Sequence, residues 1–287
     1  MFVIMGASGQ VGGAAVAALK GHGKALRAVS RDPARLAGLG VEAVRADAGD
    51  TADLTNALRG AEAAFVMLVP PPQASDVLAE ARKLARSVAA AVRAAVVPHV
   101  VALSSVGAHL AEGNGIVQAL HDFEVALAGV APSLVFLRPG DFLENWGAML
   151  PVAQTARVLP SVKVPLDLRG EAVSALDVGR AAAELLCDVQ TGTRVVNLAG
   201  PTQYSAIDAA EILSRLLGGT VTAVPSPRAE TMAGFAAAGL GADYARHLAD
   251  LYEAINAGRL DFPAGSGELR RGTTTLEVVL RRLLGMG

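Results

Sequence analysis

The stretch Phe2-Val3-Ile4-Met5-Gly6-Ala7-Ser8-Gly9-Gln10-Val11-Gly12 decides the fold of this chain. Its first four residues are apolar and predict a buried strand, and the residues from Val11 to Lys20 predict a helix. Glycines between the two elements permit a tight turn and let the backbone approach a phosphate, which the N–H groups and dipole of the helix N-terminus attract. In this context the spacing predicts a pyrophosphate site built from Gly6, Ser8, Gly9, Gln10, Val11 and Gly12. The alternative is a packing turn without a ligand.

The rest of the first 140 residues alternates between strand and helix patterns. Strands are predicted at Phe2–Met5, Ala25–Ser30, Val41–Arg45, Ala64–Val69, His99–Leu103 and Leu134–Arg138, with helices at Val11–Lys20, Ala52–Arg59, Ser75–Ala95 and Ile116–Ala128. Strands separated by helices imply right-handed crossovers and a parallel sheet. We therefore predict an α/β fold with a Rossmann-type, doubly wound parallel sheet.

The regular alternation of strand and helix patterns becomes weaker after Gly140. Residues 141–172 are predicted to form loops, and short strands are predicted at Arg194–Leu198 and Thr220–Val224. Helices are predicted to follow the capping patterns Ser174-Ala-Leu-Asp177, Ser205-Ala-Ile-Asp208 and Thr274-Thr-Leu-Glu277, and at about 228–238 and 242–256. We predict a Rossmann domain of residues 1–140 plus about 173–200. Residues 141–172 and 201–287 would form a smaller, mostly helical lobe that binds the substrate.

Composition excludes several classes of function. The 287 residues are 52% hydrophobic and 4% aromatic, and the net charge of −2 favours neither nucleic acid nor an anionic membrane as a partner. The apolar stretch Leu84–Leu103 contains charges and a proline, so a helix and a strand explain it better than a membrane span. Cys187 is the single cysteine; we expect a buried helix residue and a cytoplasmic protein without a signal peptide. The five histidines lack metal-ligand spacing, so no metal site is predicted.

The end of the second strand indicates which dinucleotide binds. An acidic residue there would accept a hydrogen bond from the ribose 2′-hydroxyl and favour NAD(H). This chain has Ser30-Arg31-Asp32-Pro33, followed by Arg35. A guanidinium and a hydroxyl suit a 2′-phosphate, so we predict NADP(H) in preference to NAD(H), with Asp32 as the contrary feature.

Several further motifs recur together in order. They are the glycine loop, Ser30-Arg-Asp-Pro33, Arg45-Ala-Asp47, Ser104-Ser105, His121-x-x-Glu124 and Leu137-Arg-Pro-Gly-Asp-Phe-Leu-Glu-Asn145. The set resembles the NmrA-like family of atypical short-chain dehydrogenases/reductases over essentially the whole chain. This resemblance implies a Rossmann domain, a small substrate lobe and bound NADP(H). Members of that family include reductases of quinones and other molecules, and regulators that sense the cofactor.

The resemblance also implies roles for individual positions. Ser8 to Val11 would contact the pyrophosphate, Arg31 the 2′-phosphate and Asp47 the adenine. Met67, Leu68 and Val69 would lie under the ribose next to the nicotinamide, which Pro139 and Gly140 would flank.

The catalytic motif departs from the pattern of conventional short-chain dehydrogenases. Their Tyr-x-x-x-Lys is replaced here by Val117 and His121, so the usual proton donor is absent. His121 and Glu124 share one helix face, where the histidine would contact the ribose or donate a proton and the carboxylate would fix its tautomer. Ser105 is a third candidate, since a hydroxyl at a strand end can polarise a carbonyl. A solvated polar pair and an ordinary turn serine are the alternatives.

Three hypotheses for the function follow. The leading one is an NADPH-dependent oxidoreductase that transfers hydride to an electron-poor small molecule, such as a quinone or conjugated carbonyl, because such acceptors need little acid catalysis. The second is an NADP(H) sensor that acts through a protein partner, and the third is an enzyme like the nucleotide-sugar epimerases. Phe142, Trp146 and Phe235 are candidates to line the substrate pocket, with core packing as the alternative. A homodimer is an open option.

Overall fold

The structure, a computed structural model, describes residues 1–286. Its strands are β1 Phe2–Met5, β2 Leu26–Ser30, β3 Glu42–Arg45, β4 Ala63–Met67, β5 His99–Leu103, β6 Ser133–Pro139, β7 Asp141–Phe142, β8 Val158–Ser161, β9 Gly170–Val173, β10 Gly192–Ala199, β11 Gln203–Tyr204, β12 Thr222–Pro225 and β13 Glu268–Arg271. Its α-helices are α1 Gln10–Leu19, α2 Thr51–Leu58, α3 Val77–Ala94, α4 Gln118–Leu127, α5 Leu150–Ala156, α6 Ala175–Cys187, α7 Ala206–Leu217, α8 Arg228–Ala237, α9 Ala242–Asn256 and α10 Leu276–Leu283.

A parallel sheet with the strand order β13-β10-β6-β5-β4-β1-β2-β3 organises the molecule. The strands β1 to β6 follow the order 3-2-1-4-5-6, so the direction of winding reverses between β1 and β4. Ligands of open α/β sheets bind beyond the carboxyl ends of the strands at such a reversal. The predicted fold class, a doubly wound Rossmann-type sheet, is confirmed.

Each face of the large sheet is covered by helices. One face buries the apolar residues of α1 and α6, and the other buries those of α2, α3 and α4. Val3, Ile4, Phe65 and Val101 are fully buried, because strands covered on both faces have no polar side. The first helix of the chain is therefore held rigidly at its place beside β1.

Smaller elements form a second layer of structure in residues 141–225. Strands β7, β9 and β11 form one small sheet, and β8 and β12 form another. The prediction of loops for residues 141–172 is wrong, since this range contains β7, α5, β8 and β9. The reason lies in pairing partners that are distant in sequence: β8 pairs with β12, more than 60 residues later in the chain. Short strands of this kind carry no strong local pattern.

Strand β13 was missed by the sequence analysis. Its sequence Glu-Leu-Arg-Arg is mostly exposed at the edge of the sheet, where it pairs in parallel with β10. A polar edge strand lacks the apolar run by which buried strands are recognised. Residues 268–271 thus join the large sheet, although they lie in the range predicted for the small lobe. The division into two lobes itself stays a prediction.

Two further expectations are wrong in detail. Cys187 is exposed, because it ends α6 at the rim of the sheet. The cap of α10 is Thr275, whose hydroxyl accepts from the N–H of Val278, while Thr274 bonds to the buried carboxylate of Asp177 instead. The capping box at Ser205 and Asp208 is confirmed.

No helix in residues 1–286 is both long enough and apolar enough to cross a membrane. Across the same residues, no group of three or more histidine, cysteine or acidic side chains has the arrangement of a metal site.

Candidate active site

The glycine loop closes tightly on itself between β1 and α1. Gly6 has a φ of +66°, a conformation that L-residues rarely adopt, and a Cβ at this position would collide with the sulfur of Met67. The N–H of Gly9 donates to the carbonyl of Gly6 at 2.9 Å. A Cβ at Gly12 would lie 2.6 Å from the carbonyl carbon of Gly6. Glycine is therefore required at both ends of the loop for the first turn of α1 to pack against the end of β1.

The N-terminus of α1 is left open by this arrangement. Its N-cap is Gly9, which has extended backbone and offers no side chain to the first-turn N–H groups. Gly9 and Gln10 are exposed, while Val11 is buried against the sheet. Free N–H groups and the positive end of the helix dipole therefore face outward at the point where the winding reverses. This cradle fits a dinucleotide pyrophosphate in size, charge and hydrogen-bonding character.

Gly179 on α6 is a residue that the sequence analysis missed. A Cβ there would lie 2.6 Å from the carbonyl oxygen of Val11. The two helices are thus in backbone contact directly behind the first turn of α1. A glycine inside the predicted helix 174–187 was the available signal, because such a glycine often marks a close approach.

The end of β2 brings polar groups next to the glycine loop. The hydroxyls of Ser8 and Ser30 lie 3.1 Å apart. The carboxylate of Asp32 accepts a hydrogen bond from the N–H of Ala34 at 3.1 Å. It thereby caps a short 3₁₀ helix, Pro33–Leu36. Arg31 is exposed and makes no hydrogen bond or ion pair with the part of the chain that the structure describes. The guanidinium is therefore available to an anion, while Asp32 already has a local structural partner.

The other predicted cofactor residues lie at or after the carboxyl ends of β2, β3 and β4. Asp47 is half-buried, and its carboxylate accepts from the N–H of Gly49 at 2.8 Å. At the end of β4, Met67 lies against Gly6, and of the two residues that follow, Leu68 is buried in the core and Val69 is 58% exposed. The three consecutive residues therefore have different environments, and Met67 is the one that reaches the glycine loop. Arg35 is exposed on the 3₁₀ helix that Asp32 caps.

Pro139 and Gly140 end β6 at the same edge of the sheet. The carbonyl of Pro139 accepts from the N–H of Val106 at 2.8 Å, and the N–H of Gly140 donates to the carbonyl of Leu198. A Cβ at Gly140 would lie 2.6 Å from the carbonyl oxygen of Glu171. The backbone beyond β6 is thus tied to its neighbours on both sides.

Glu124 has different partners from those predicted. Its carboxylate accepts two hydrogen bonds from Arg138, from Nε at 2.8 Å and from Nη2 at 2.6 Å, and one from the hydroxyl of Ser104 at 2.5 Å. All three residues are buried. The interpretation that Glu124 fixes the tautomer of His121 is wrong, because this carboxylate already bonds to the ends of β5 and β6.

His121 is oriented by the backbone instead. Its Nδ1 lies 2.9 Å from the carbonyl oxygen of Ala108. A carbonyl only accepts, so Nδ1 carries the proton of this hydrogen bond and Nε2 is left for another partner. The ring is half-buried, and Ser105, which is also half-buried, follows the end of β5 in the same loop. The structure thus supplies His121 with a fixed tautomer by a route that the helix pattern did not reveal.

His109 is a second histidine at this edge that sequence reasoning missed. Burial lowers the pKa of His109, and the positive charge of Arg138 lowers this pKa further, against the opposing charges of Asp261 and Glu124. The neutral form is therefore favoured near neutral pH. Its position next to Ala108, shortly after β5, was the signal that could have found it.

The predicted substrate residues have different environments. Phe142 packs against the core that α1 and α6 form with the large sheet, and Trp146 packs against a separate apolar cluster that includes Leu150, Leu159 and Leu213. Phe235 stacks on Tyr252, with ring centroids 6.5 Å apart. Between these residues, Lys163 forms an ion pair with Asp141 and lies over the ring of Trp146 at 5.9 Å.

Comparison with known proteins identifies the family. The sequence model described as the NmrA-like family matches residues 1–261. The chain belongs to the NmrA-like family. The predicted resemblance is thereby confirmed, over nine-tenths of the chain.

Characterised relatives of this NmrA-like protein are reductases. A (4-alkanoyl-5-oxo-2,5-dihydrofuran-3-yl)methyl phosphate reductase of Streptomyces griseus is 31% identical over 225 residues, which are 76% of this chain and 74% of the relative. Quinone oxidoreductase 2 of Escherichia coli is 28% identical over 283 residues, which are 96% of each chain. Both names agree with the predicted class of enzyme, a reductase of small molecules.

Solved structures of similar proteins support the same class. The NADPH-dependent quinone oxidoreductase of Escherichia coli, crystallised with NADPH, has a TM-score of 0.81 and 27% identity, with 99% of this chain and all of that chain covered. The triphenylmethane reductase of Citrobacter sp. has a TM-score of 0.82 at 20% identity, covering 99% of each chain, and shows the shared fold. An NADPH-dependent reductase is the enzyme class to which this NmrA-like chain is similar in sequence and in structure.

Proposed function

We propose that this protein is an NADPH-dependent reductase that passes hydride to an electron-poor small molecule, such as a quinone or a conjugated carbonyl. The observation that carries the proposal is the glycine loop, in which Gly6 and Gly12 pack together and leave the first-turn N–H groups of α1 exposed. Bound NADPH would supply the hydride. The acceptor gains that hydride and one proton from solvent, so the reaction is balanced.

Different residues of the site would contact different parts of the cofactor. The open turn of α1 receives the pyrophosphate, and Arg31 and Ser30 receive the 2′-phosphate, with Arg35 beside them. NADP(H) is proposed over NAD(H) because Arg31 is unengaged while Asp32 is used as a cap. Asp47, Met67, Leu68, Val69, Pro139 and Gly140 are proposed to surround the adenine and nicotinamide ends.

His121 is proposed to act through Nε2. Its Nδ1 bonds to the carbonyl of Ala108, so Nε2 is directed to accept from a ribose hydroxyl or to deliver a proton. Ser105 is proposed to polarise an acceptor carbonyl. Glu124 is proposed as a positioning residue through Arg138 and Ser104, because its carboxylate is buried away from any acceptor.

The acceptor is proposed to be electron-poor because the chain lacks a phenol where conventional short-chain dehydrogenases have one. Val117 takes that place, and its buried hydrocarbon side chain has no acidic proton to donate to a ketone. Quinones and conjugated carbonyls accept hydride with little acid catalysis. The same residue suits a second candidate, an NADP(H) sensor that acts through a protein partner.

Turnover assays separate the two candidates. Oxidation of NADPH is followed at the nicotinamide absorbance against a panel of quinones and conjugated carbonyls, with the His121→Ala variant in parallel. A reductase shows acceptor-dependent turnover that the variant loses by roughly tenfold or more. Tight NADPH binding without turnover on any acceptor would contradict the reductase and favour the sensor.

A cytoplasmic setting is also part of the proposal. It is supported by the single cysteine, which permits no intramolecular disulfide. Cell fractionation tests the compartment, and light scattering on the purified chain tests whether a homodimer forms.

A further inference from the structure

A cavity of about 320 Å³ lies between α8, α9 and the segments that follow β8 and β12. The apolar residues Val162, Val164, Pro225 and Ala249 form much of its wall, and the hydroxyl-bearing residues Tyr252 and Thr231 also line it. A space of this size accommodates a single-ring or two-ring molecule. None of the three aromatic residues proposed above from the sequence lines it, although Phe235 stacks on Tyr252 in its wall.

The cavity adjoins the carboxyl edge of the large sheet. Val162 and Val164 in its wall flank Lys163, whose ammonium is paired with Asp141. Asp141 follows Pro139 and Gly140, the end of β6. One wall of the cavity therefore continues into the edge where the nicotinamide is proposed to lie.

Most polar groups around the cavity already have partners. The side-chain amide of Asn256 bonds to the backbone of Val162 and Val164. Arg228 is paired with Glu253 and with Asp250 at 2.8 Å. The hydroxyl of Thr231 lies 3.1 Å from that of Ser226.

Tyr252 is the exception. Its hydroxyl makes no hydrogen bond to residues 1–286, although the side chain lines the cavity. Stacking on Phe235 at an interplanar angle of 25° holds the ring in place. Burial, with a contribution from the charge of Asp141, raises the pKa of Tyr252 far above its ordinary value. The phenol thus keeps its proton and remains a hydrogen-bond donor throughout the physiological pH range.

We propose that this cavity is the acceptor site, that it takes a flat, uncharged carbonyl compound, and that Tyr252 donates a hydrogen bond to the carbonyl oxygen. The proposal rests on the proposed function and names its substrate class. An anionic acceptor is disfavoured because Arg228 and Lys163 are already neutralised by carboxylates. A neutral ring matches the apolar wall, and one carbonyl matches the one side-chain hydroxyl of the lining that has no partner within residues 1–286.

Titration calorimetry with duroquinone tests the proposal. All four of its carbon–carbon double-bond carbons carry a methyl group, so it does not add readily to the exposed thiol of Cys187. The titration is done with NADP⁺ present and again without it, because neither condition allows turnover. Wild type is compared with Tyr252→Phe, which removes only the hydroxyl, and with Tyr244→Phe, the matched change at a tyrosine of α9 that does not line the cavity.

The expected result is a loss of duroquinone affinity of about three- to tenfold in Tyr252→Phe, and no loss in Tyr244→Phe. NADPH affinity should be unchanged in both variants. Ala249→Leu narrows the cavity and should weaken the binding of duroquinone. Ala245→Leu, a change at a buried residue of the same helix that does not line the cavity, should weaken this binding less.

Equal duroquinone affinity in wild type and Tyr252→Phe would overturn the proposal, as would the absence of any duroquinone binding to the wild type. These outcomes are independent of whether NADPH is oxidised. Failure of the acceptor site is therefore distinguishable from failure of the proposed reductase activity.

Discussion

Arg138 and Glu124 form a buried two-point ion pair that joins the end of β6 to the middle of α4, with N–O distances of 2.8 and 2.6 Å. Ser104 adds a hydrogen bond from the end of β5. Three elements of the carboxyl edge are thus locked together one helical turn from His121. The pair sets the height and rotation of α4, and with it the position of the histidine.

Glu124→Gln tests the importance of this ion pair. The change leaves the guanidinium of Arg138 buried without a compensating charge, so the free energy of unfolding should fall by about 3–5 kcal/mol. Urea unfolding measures the loss. Asp122→Asn on the same helix breaks the exposed ion pair with Arg82, and it should lower the free energy of unfolding by less than about 1 kcal/mol. Similar losses in the two variants would contradict the structural role.

Gly12→Ala tests the closure of the glycine loop. Its new Cβ would lie 2.6 Å from the carbonyl carbon of Gly6, so the first turn of α1 must move away from β1. NADPH affinity should fall by about tenfold or more, in line with an overpacking cost of about 1–3 kcal/mol. Quenching of the intrinsic fluorescence reports binding. Gly13→Ala is the matched control, because its Cβ meets the carbonyl of Ala7 at 3.4 Å; a large loss there would count against the explanation.

Arg31→Ala tests the choice of cofactor. The guanidinium is exposed and unengaged at the end of β2, where a 2′-phosphate would form a charge-assisted pair worth roughly 1.5–3 kcal/mol. NADPH should therefore bind about tenfold or more weakly to the variant, while the affinity for NADH should hardly change. NADH, which lacks the 2′-phosphate, is the internal control. Equal affinities of the wild type for the two cofactors would refute the assignment.

His99→Gln tests a pH effect on stability. Burial lowers the pKa of His99, and its Nε2 donates to the carbonyl of Leu185 at 2.9 Å. The folded protein disfavours the charged ring, whereas the unfolded chain takes up a proton near pH 6.5. Stability is therefore complete above about pH 6.5 and falls as the pH drops below it, by up to about 1.4 kcal/mol for each pH unit.

In the glutamine variant the dependence of unfolding free energy on pH between 5 and 6.5 should become shallower, because glutamine can donate to Leu185 without titrating. Thermal unfolding at several pH values measures this slope. His22→Gln, at an exposed position, should retain the wild-type slope. An unchanged slope in His99→Gln would show that other groups cause the acid sensitivity.

The sequence predicted those parts of the fold that short-range patterns encode. Buried strands such as β4 and β5 are continuous apolar runs, and the glycine loop carries its turn chemistry in three residues. By contrast, β8 and β13 are short or polar, and they exist because a partner from elsewhere in the chain supplies their hydrogen bonds. No local pattern contains that information.

The same distinction separates the correct from the incorrect features of the site. Helix periodicity placed His121 and Glu124 on one helix face, but it could not reveal that the carboxylate of Glu124 pairs with Arg138 from β6. Ala108 orients His121 through its backbone carbonyl in a loop, and the pattern of side chains along the sequence does not indicate such a contact. Tyr252 likewise gains its significance from a cavity that it lines together with Val162 and Val164, about ninety residues away in the sequence.

The pairing of β10 with β6 and of β13 with β10 also constrains how the chain is made. During synthesis, β6 emerges from the ribosome with one edge unpaired, and β10 supplies its partner only after another half-hundred residues. The large sheet is complete only when β13, about 70 residues after β10, has emerged. The nascent nucleotide-binding half is therefore a ready target for chaperones and a poor candidate for expression as a separate fragment.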